Sequence, residues 1–70
     1  MKRVPVSSSN LRSVGYLKKK RLLEIMFKHG GVYQYRNVPP DIHAGLMNAR
    51  SHGRYHWRHV RTSFPYSKVR

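Results

Sequence analysis

The stretch GGVYQYRNVPP, from Gly30 to Pro40, decides the fold of this chain. Its paired glycines predict a hairpin turn, because glycine adopts positive φ angles without strain. Residues 32 to 36 then alternate as a strand, which places Tyr33 and Tyr35 on a common face. The double proline predicts a helix that begins near Pro40, since proline is tolerated at the first helical position. Asp41 in the first turn complements the helix dipole.

Two further strands are predicted before this stretch. Residues 10 to 17 are rich in residues that favour strands, with Gly15 as a possible bulge. Residues 21 to 28 alternate, with Leu23, Ile25 and Phe27 on one face and Glu24 and Lys28 on the other. The three strands together predict an antiparallel meander.

Two helices are predicted after it. Ile42, Leu46 and Ala49 recur at i, i+4 and i+7, which gives one apolar stripe on a helix that ends near Arg50. Ser51 can cap a second short helix through Val60. The predicted fold class is α+β, a three-stranded antiparallel β-meander followed by two short α-helices packed on one face.

The sequence predicts one domain with two basic ends. Residues 1–9 are predicted to be a flexible basic N-terminal lead-in, residues 10–66 the single domain, and residues 67–70 a basic C-terminal tail. The segment from Thr62 onward returns to an extended conformation that can lie along the sheet edge. At 70 residues the domain buries only about 60% of the surface that its unfolded chain exposes, so its core is thin. We expect the protein to be a monomer.

Charge is the strongest compositional signal. Fifteen Lys and Arg residues stand against Glu24 and Asp41, which gives a net charge of +13 at pH 7. Charges of about 2 to 8 are enough to keep a small domain soluble. The excess therefore indicates a polyanionic partner, either nucleic acid, an anionic membrane or an acidic protein face.

Composition also narrows the setting. There is no cysteine, and no apolar run approaches the roughly 20 residues of a membrane helix. We expect a cytoplasmic protein. A membrane partner is not expected, because the chain lacks a basic amphipathic helix with a strong apolar face.

We expect neither catalysis nor a cofactor. Glu24 and Asp41 are the only carboxylate side chains, and Glu24 is predicted to point outward from a strand whereas Asp41 lies at a helix start, so we do not expect them to form the acid and base pair of an enzyme. His52, His56 and His59 stand at i, i+4 and i+7 and offer a possible metal-ligand spacing, but the surrounding arginines repel a dication. No metal site is therefore predicted.

The candidate binding residues are cationic and aromatic. The cations lie in a lysine run between two strands and along the second helix, and Trp57 is the preferred exposed aromatic residue of that helix. The predicted partner-binding set is Lys18, Lys19, Lys20, Arg54, Trp57, Arg58 and Arg61. Tyr33 and Tyr35 have two interpretations, because their rings can stack on bases or complete a thin core.

Four segments in order resemble the KTSC domain family: SSNLRSVGY at 8 to 16, GGVYQYRNVP at 30 to 39, SHGRY at 51 to 55 and FPY at 64 to 66. The resemblance spans about residues 8 to 66. The family is named for its occurrence at the C-terminus of some lysyl-tRNA synthetases and also occurs as a stand-alone protein in bacteria and phages. It implies a small α+β domain, suggested to bind RNA, without catalysis. The chain departs from the family pattern at His56, where an aromatic apolar residue is usual.

The predicted function is a small, strongly basic binding module for RNA or for an RNA-containing machine. The alternative is a phage-type transcription regulator, an inhibitor or antiterminator, that binds host RNA polymerase near the RNA exit path. Both follow from the charge taken together with the family resemblance. If the chain is phage-encoded, as the resemblance allows, we expect it in the host cytoplasm.

Overall fold

A computed structural model describes residues 2–70 of the chain. The strands are β1 Val4–Pro5, β2 Leu11–Leu17, β3 Leu22–Phe27, β4 Val32–Tyr35 and β5 Tyr66–Lys68. Helix α1 spans Pro40–Asn48, and α2 is α-helical over His52–Tyr55 and continues as a π-helical turn over His56–Val60. The α+β class and both predicted helices are therefore confirmed.

The sheet has five strands rather than the predicted three. They follow the order β1-β2-β3-β4-β5, and every neighbouring pair is antiparallel. The predicted meander forms the three central strands. Strand β1 lies in the predicted N-terminal lead-in, and β5 lies in the segment that is predicted to be extended along the sheet edge.

Both additional strands lie at the edges of the sheet. Val4 and Pro5 pair with Val14 and Ser13 of β2, and Tyr66 pairs with Tyr35 of β4. The edge strands span only two and three residues, too few to show an alternating pattern. Proline is tolerated at a sheet edge, because an edge strand leaves half of its N–H groups without a ladder partner.

The hydrophobic core lies between the sheet and the two helices. The predicted inward residues Leu23 and Ile25 are fully buried, and α1 and α2 contribute Leu46 and Val60. Tyr35 belongs to the same cluster, with 3% of its surface exposed. Both helices therefore cover one face of the sheet, as the apolar stripe on α1 predicts.

A buried polar contact joins α2 to the centre of the sheet. His56 is 8% exposed, and its Nε2 shares a 2.8 Å hydrogen bond with the hydroxyl of Tyr35. Burial, with a smaller contribution from the charge of Arg61, lowers the pKa of His56 to about 4. Burial likewise raises the pKa of Tyr35 to about 12, so both groups are neutral near pH 7. The departure from the family pattern at His56 is thus accommodated inside the core.

Glu24 lies on the opposite face of the sheet, as its alternation predicts, but it is buried. Arg3 donates to its Oε2 over 2.6 Å, and Gln34 donates to its Oε1 over 2.9 Å. Burial alone would raise the pKa of Glu24, yet the hydrogen bonds from Gln34 and Arg3 outweigh it and the pKa is lowered. The N-terminal segment therefore covers and neutralises one of the two carboxylates.

Within residues 2–70, no helix combines the length and the apolar character that a membrane crossing requires.

Helices α1 and α2 approach closely at Gly45. A side chain at this position would overlap the ring of Tyr55, whose hydroxyl and Cζ lie where a Cβ would be built. The sequence indicates only that glycine weakens the middle of α1, whereas the structure shows what requires it.

We expect Gly45→Ala to destabilise the protein, although alanine favours a helix by about 1 kcal/mol over glycine. The matched control is Gly53→Ala in α2, where the nearest atom to a new Cβ is the Asn10 amide at 3.2 Å, on an exposed side chain that can move. Urea unfolding should show a lower free energy of unfolding for Gly45→Ala, and a nearly unchanged or higher one for Gly53→Ala. Equal gains at both positions would contradict the close packing of Tyr55.

The buried hydrogen bond between His56 and Tyr35 predicts that the free energy of unfolding depends on pH. His56 binds a proton near pH 6.5 when unfolded but only near pH 4 when folded. Its contribution to stability is therefore complete above about pH 6.5, falls as the pH drops toward about 4, and is constant below that. At about 1.4 kcal/mol per pKa unit, the loss is roughly 3 kcal/mol.

His56→Phe removes the titrating group and leaves the Tyr35 hydroxyl unpaired, which costs about 1–3 kcal/mol at every pH. Chemical unfolding measured between pH 7 and pH 4 should give a smaller slope of stability against pH for this variant than for the natural protein. Identical slopes would show that His56 does not titrate as its burial requires.

Candidate nucleic-acid interface

An aromatic cleft opens beside the end of α2 on the helix-covered side of the sheet. It has a volume of about 260 Å³. Strands β3, β4 and β5 provide its walls, and Arg61 follows α2 at its rim. The lining residues are Phe27, His29, Tyr33, Tyr35, Arg61 and Tyr66.

The rings of the aromatic cleft form a connected set. Phe27 meets Tyr33 edge to face at 5.4 Å and stacks on His29 at 5.5 Å. Tyr66 lies 6.0 Å from Tyr33 and 5.7 Å from Tyr35 between ring centroids. Because 55% of Tyr66 is exposed, the set presents ring surface to a ligand from solvent.

The structure separates the two tyrosines of the central motif. Their common face is confirmed, because Tyr33 pairs with Ile25 and Tyr35 with Leu23. Tyr35 is buried and belongs to the core, whereas Tyr33 is half-buried and packs at the edge of the core. Tyr35 therefore forms the floor of the aromatic cleft, and Tyr33 forms part of its accessible wall.

Trp57 lies on the outer side of α2. It is 63% exposed, and the guanidinium carbon of Arg61 lies 4.1 Å from the centre of its ring. A cation held over an aromatic face in this way is attracted by the electron-rich ring. Since Arg61 also lines the aromatic cleft, this contact places Trp57 next to the cleft.

Arg54 and Arg58 line a second depression, which we call the arginine cleft. Its volume is about 320 Å³, and Arg50 contributes a third guanidinium. The rings of Tyr55 and His59 lie 4.5 Å apart in its wall. The arginine cleft therefore combines planar cations with aromatic surface, as the aromatic cleft does.

The lysine run lies elsewhere. Lys18–Lys20 forms an exposed 3-10 turn between β2 and β3, near the start of α1, where the Val38 N–H donates to the carbonyl of Arg21. The arginine cleft instead adjoins the opposite end of these strands, since Arg50 and Ser51 line a depression together with Lys28. The structure thus divides the predicted cations into two separate groups.

The three histidines of the second helix have different surroundings. His56 is in the core, His52 uses its Nδ1 in a 2.8 Å contact with the carbonyl of Leu46, and His59 is exposed against Tyr55. Among residues 2–70, no group of three potential ligands is close enough to hold a metal ion.

Several residues of these clefts were not among the predicted site residues. Phe27 and Tyr66 lie in the aromatic cleft, and Arg50 lies in the arginine cleft. Phe27 was assigned to the core by its alternation, and Tyr66 lies in the family-like FPY segment. Only the pairing of β5 with β4 brings Tyr66 beside Tyr33.

The two tyrosines are expected to respond differently to truncation. Tyr35→Ala should lower the free energy of unfolding by roughly 3–5 kcal/mol, as for other buried aromatic side chains. Tyr33→Ala should cost about 1–2 kcal/mol, because its ring is only half-buried. Urea denaturation measures both, with Tyr33→Phe as a variant that keeps the ring. Equal losses for the two alanine variants would place Tyr33 in the core.

Comparison with known proteins gives one consistent result. The KTSC domain family matches residues 7–64. A protein of Stutzerimonas stutzeri is 46% identical over 55 residues, which are 79% of this chain and 78% of that protein. A lysine–tRNA ligase of Nostoc punctiforme is 31% identical over 61 residues, which are 87% of this chain but 11% of the ligase.

Comparison with solved structures leads to the same family. The crystal structure of a KTSC domain protein from Yersinia pestis is 40% identical in sequence and superimposes with a TM-score of 0.96. The match covers 99% of this chain and 97% of the Yersinia pestis chain. The resemblance predicted from the sequence is confirmed, and the chain belongs to the KTSC domain family.

Proposed function

We propose that the protein is a non-catalytic RNA-binding module that holds single-stranded RNA at the aromatic cleft. The observation that carries the proposal is the exposed ring of Tyr66, 6.0 Å from the ring of Tyr33, in a cleft that Arg61 also lines. Proteins bind single strands by stacking bases on aromatic rings while nearby cations attract the phosphates. The aromatic cleft supplies both kinds of contact within one small surface.

The distribution of charge supports an RNA ligand. Fifteen basic residues face two acidic ones, and Glu24 is already bound by Arg3. Three of the remaining cations, Lys28, Arg50 and Arg58, are exposed and line the arginine cleft or the depression beside it. Such a surface attracts a polyanion over distances of about one Debye length.

A relative supports the same class of ligand. The similar segment in Nostoc punctiforme belongs to a lysine–tRNA ligase. An enzyme of that name acts on an RNA, so a domain that contacts RNA would suit its context.

We propose no catalytic step for this chain. Glu24 is buried between Arg3 and Gln34, and Asp41 lies in the first turn of α1. Neither carboxylate lines the aromatic cleft or the arginine cleft. The clefts therefore offer binding groups and no paired acid and base.

Docking to an acidic protein surface, such as one on RNA polymerase, is the second candidate function. It is favoured by Trp57, which is 63% exposed and carries Arg61 over its ring. Tryptophan and arginine are the residues most enriched at the energetic centres of protein interfaces. A basic body with such a centre can contact a polymerase and its transcript together.

Binding to single-stranded RNA should depend steeply on salt. Each neutralised phosphate contributes about −0.7 to the slope of log affinity against log salt concentration. Four to six contacts would therefore give a slope of about −3 to −4. Titrations of oligouridylate at several salt concentrations measure the slope. A value near zero would remove nucleic acid as the direct ligand.

Tyr66→Ala should weaken the same binding by roughly 5- to 150-fold, because a stacked base contributes about 1–3 kcal/mol. Tyr66→Phe is the matched control, since it keeps the ring, and it should bind almost as tightly as the natural protein. Melting temperatures of both variants check the pairing of β5. A stable Tyr66→Ala protein with unchanged affinity would refute the aromatic cleft as the site.

Copurification from a lysate, with and without nuclease, separates the two candidate functions. Partners lost after nuclease treatment support RNA binding. Polymerase subunits that remain after nuclease treatment, and that are lost from Trp57→Ala, support docking to protein.

A further inference from the structure

The aromatic cleft is the first of four depressions that adjoin one another. Phe27 and His29 also line the next depression, of about 390 Å³, which extends to Ser9 and Lys28. Ser9 and Lys28 in turn line a third depression, of about 570 Å³. This one reaches Arg50 and Ser51, which it shares with the arginine cleft.

Because each neighbouring pair shares two lining residues, the four depressions follow one another along the surface, and we call this succession the groove. It runs from the aromatic cleft around the end of the sheet where β2 begins and β3 ends. The Lys18–Lys20 turn lies at the other end of these strands, outside the groove.

The middle of the groove has the chemistry of a phosphate site. Its wall carries the hydroxyls of Ser7, Ser8, Ser9 and Ser51 together with the cations Lys28 and Arg50. Hydroxyl groups, Lys and Arg are the side chains that commonly contact backbone phosphates. Neither Glu24 nor Asp41 is among the residues that line the four depressions.

Two of these hydroxyls are positioned by the backbone. The Oγ of Ser8 accepts from the N–H groups of Asn10 and Leu11, and the Oγ of Ser51 accepts from the N–H of Arg54. Since each oxygen acts as an acceptor in these bonds, its own hydrogen remains to be donated. Lys28 and Arg50 are exposed, so their charges are available to the same ligand.

We propose that this groove is the path of one RNA strand. A base stacks in the aromatic cleft, the following phosphates pass Lys28 and the serine hydroxyls, and the strand ends on the guanidinium groups of the arginine cleft. We expect the path to hold about four or five nucleotides, because the protein extends only 27 × 25 × 22 Å and this site size is at the low end of the range of about 4–16 for an OB fold. The inference rests on the RNA-binding function proposed above and adds its route and its length.

The test compares RNA length with the position of the charge that is removed. Oligouridylates of two, four, six and eight nucleotides are titrated into the full chain, with binding followed by amide NMR shifts. Affinity should rise up to about four or five nucleotides and then level off, because a longer strand leaves the groove. The shifts should include amides of residues 7–9 and 50–51 with the longer strands but not with the dinucleotide.

Three single-charge variants provide the comparison. Lys28→Gln and Arg50→Gln should each weaken binding of the hexanucleotide by about 3- to 10-fold. Arg50→Gln should leave the dinucleotide almost unchanged, because a dinucleotide in the aromatic cleft reaches Lys28 but not Arg50. Lys19→Gln removes the same charge outside the groove and should weaken either oligonucleotide by less than about twofold. Lys28→Arg and Arg50→Lys keep the charge and should retain binding, and melting temperatures confirm that all variants fold.

The results distinguish a failure of the proposed RNA path from a failure of RNA binding itself. If Lys19→Gln weakens the hexanucleotide as much as the other two glutamine variants do, or if two and six nucleotides bind equally well, the groove is not the path although the protein still binds RNA. If no oligonucleotide binds at low salt, the proposed function itself is wrong, and the path with it.

Discussion

The fold depends on the packing of α2 against the middle of the sheet. His56 and Val60 are buried there with Tyr35, and one hydrogen bond joins His56 to the Tyr35 hydroxyl. A domain of this size has a thin core, so each such contact is a large share of its stability. Apolar packing is not directional, whereas a hydrogen bond requires a particular geometry. We infer that this bond orients α2, and that Trp57 and Arg58 consequently lie on its outer side.

The same packing determines where the positive charge lies. Because α1 and α2 cover one face of the sheet, cations occupy the turns, the outer side of the helices and the ends of the sheet. On the other face Arg3 neutralises Glu24 and attaches the N-terminal segment to the sheet. The proposed binding surface therefore combines exposed cations with rings that continue outward from the core. Tyr35 is the floor of this surface and Tyr66 its accessible edge, so stability and binding share neighbouring residues.

The candidate site could be predicted only in part. The arginines of the second helix were predicted as binding residues because they are cations on one helix, and Trp57 because it is an aromatic residue between His56 and Arg58. Tyr33 and Tyr35 were assigned to one face correctly, but their different burial depends on α2 and β5, which come later in the chain. The lysine run has the strongest local charge in the sequence, yet it lies away from the clefts. The lysine run and the clefts lie at opposite ends of β2 and β3, and this separation follows from the pairing of the strands and not from composition.

The sequence by itself determined the central meander, the helix start at Pro40, the cap at Ser51 and the family, because turn chemistry, alternation and capping act over a few neighbouring residues. Only the tertiary structure decided the N-terminal edge strand, the pairing of the extended C-terminal segment with β4, the burial of Glu24 by Arg3 and the order in which the depressions follow one another. Edge strands are held by backbone hydrogen bonds, which depend little on the identity of most side chains, and two or three residues carry no periodic signal. The groove is built from residues between positions 6 and 66, and only the folding of the sheet and helices brings these distant segments together.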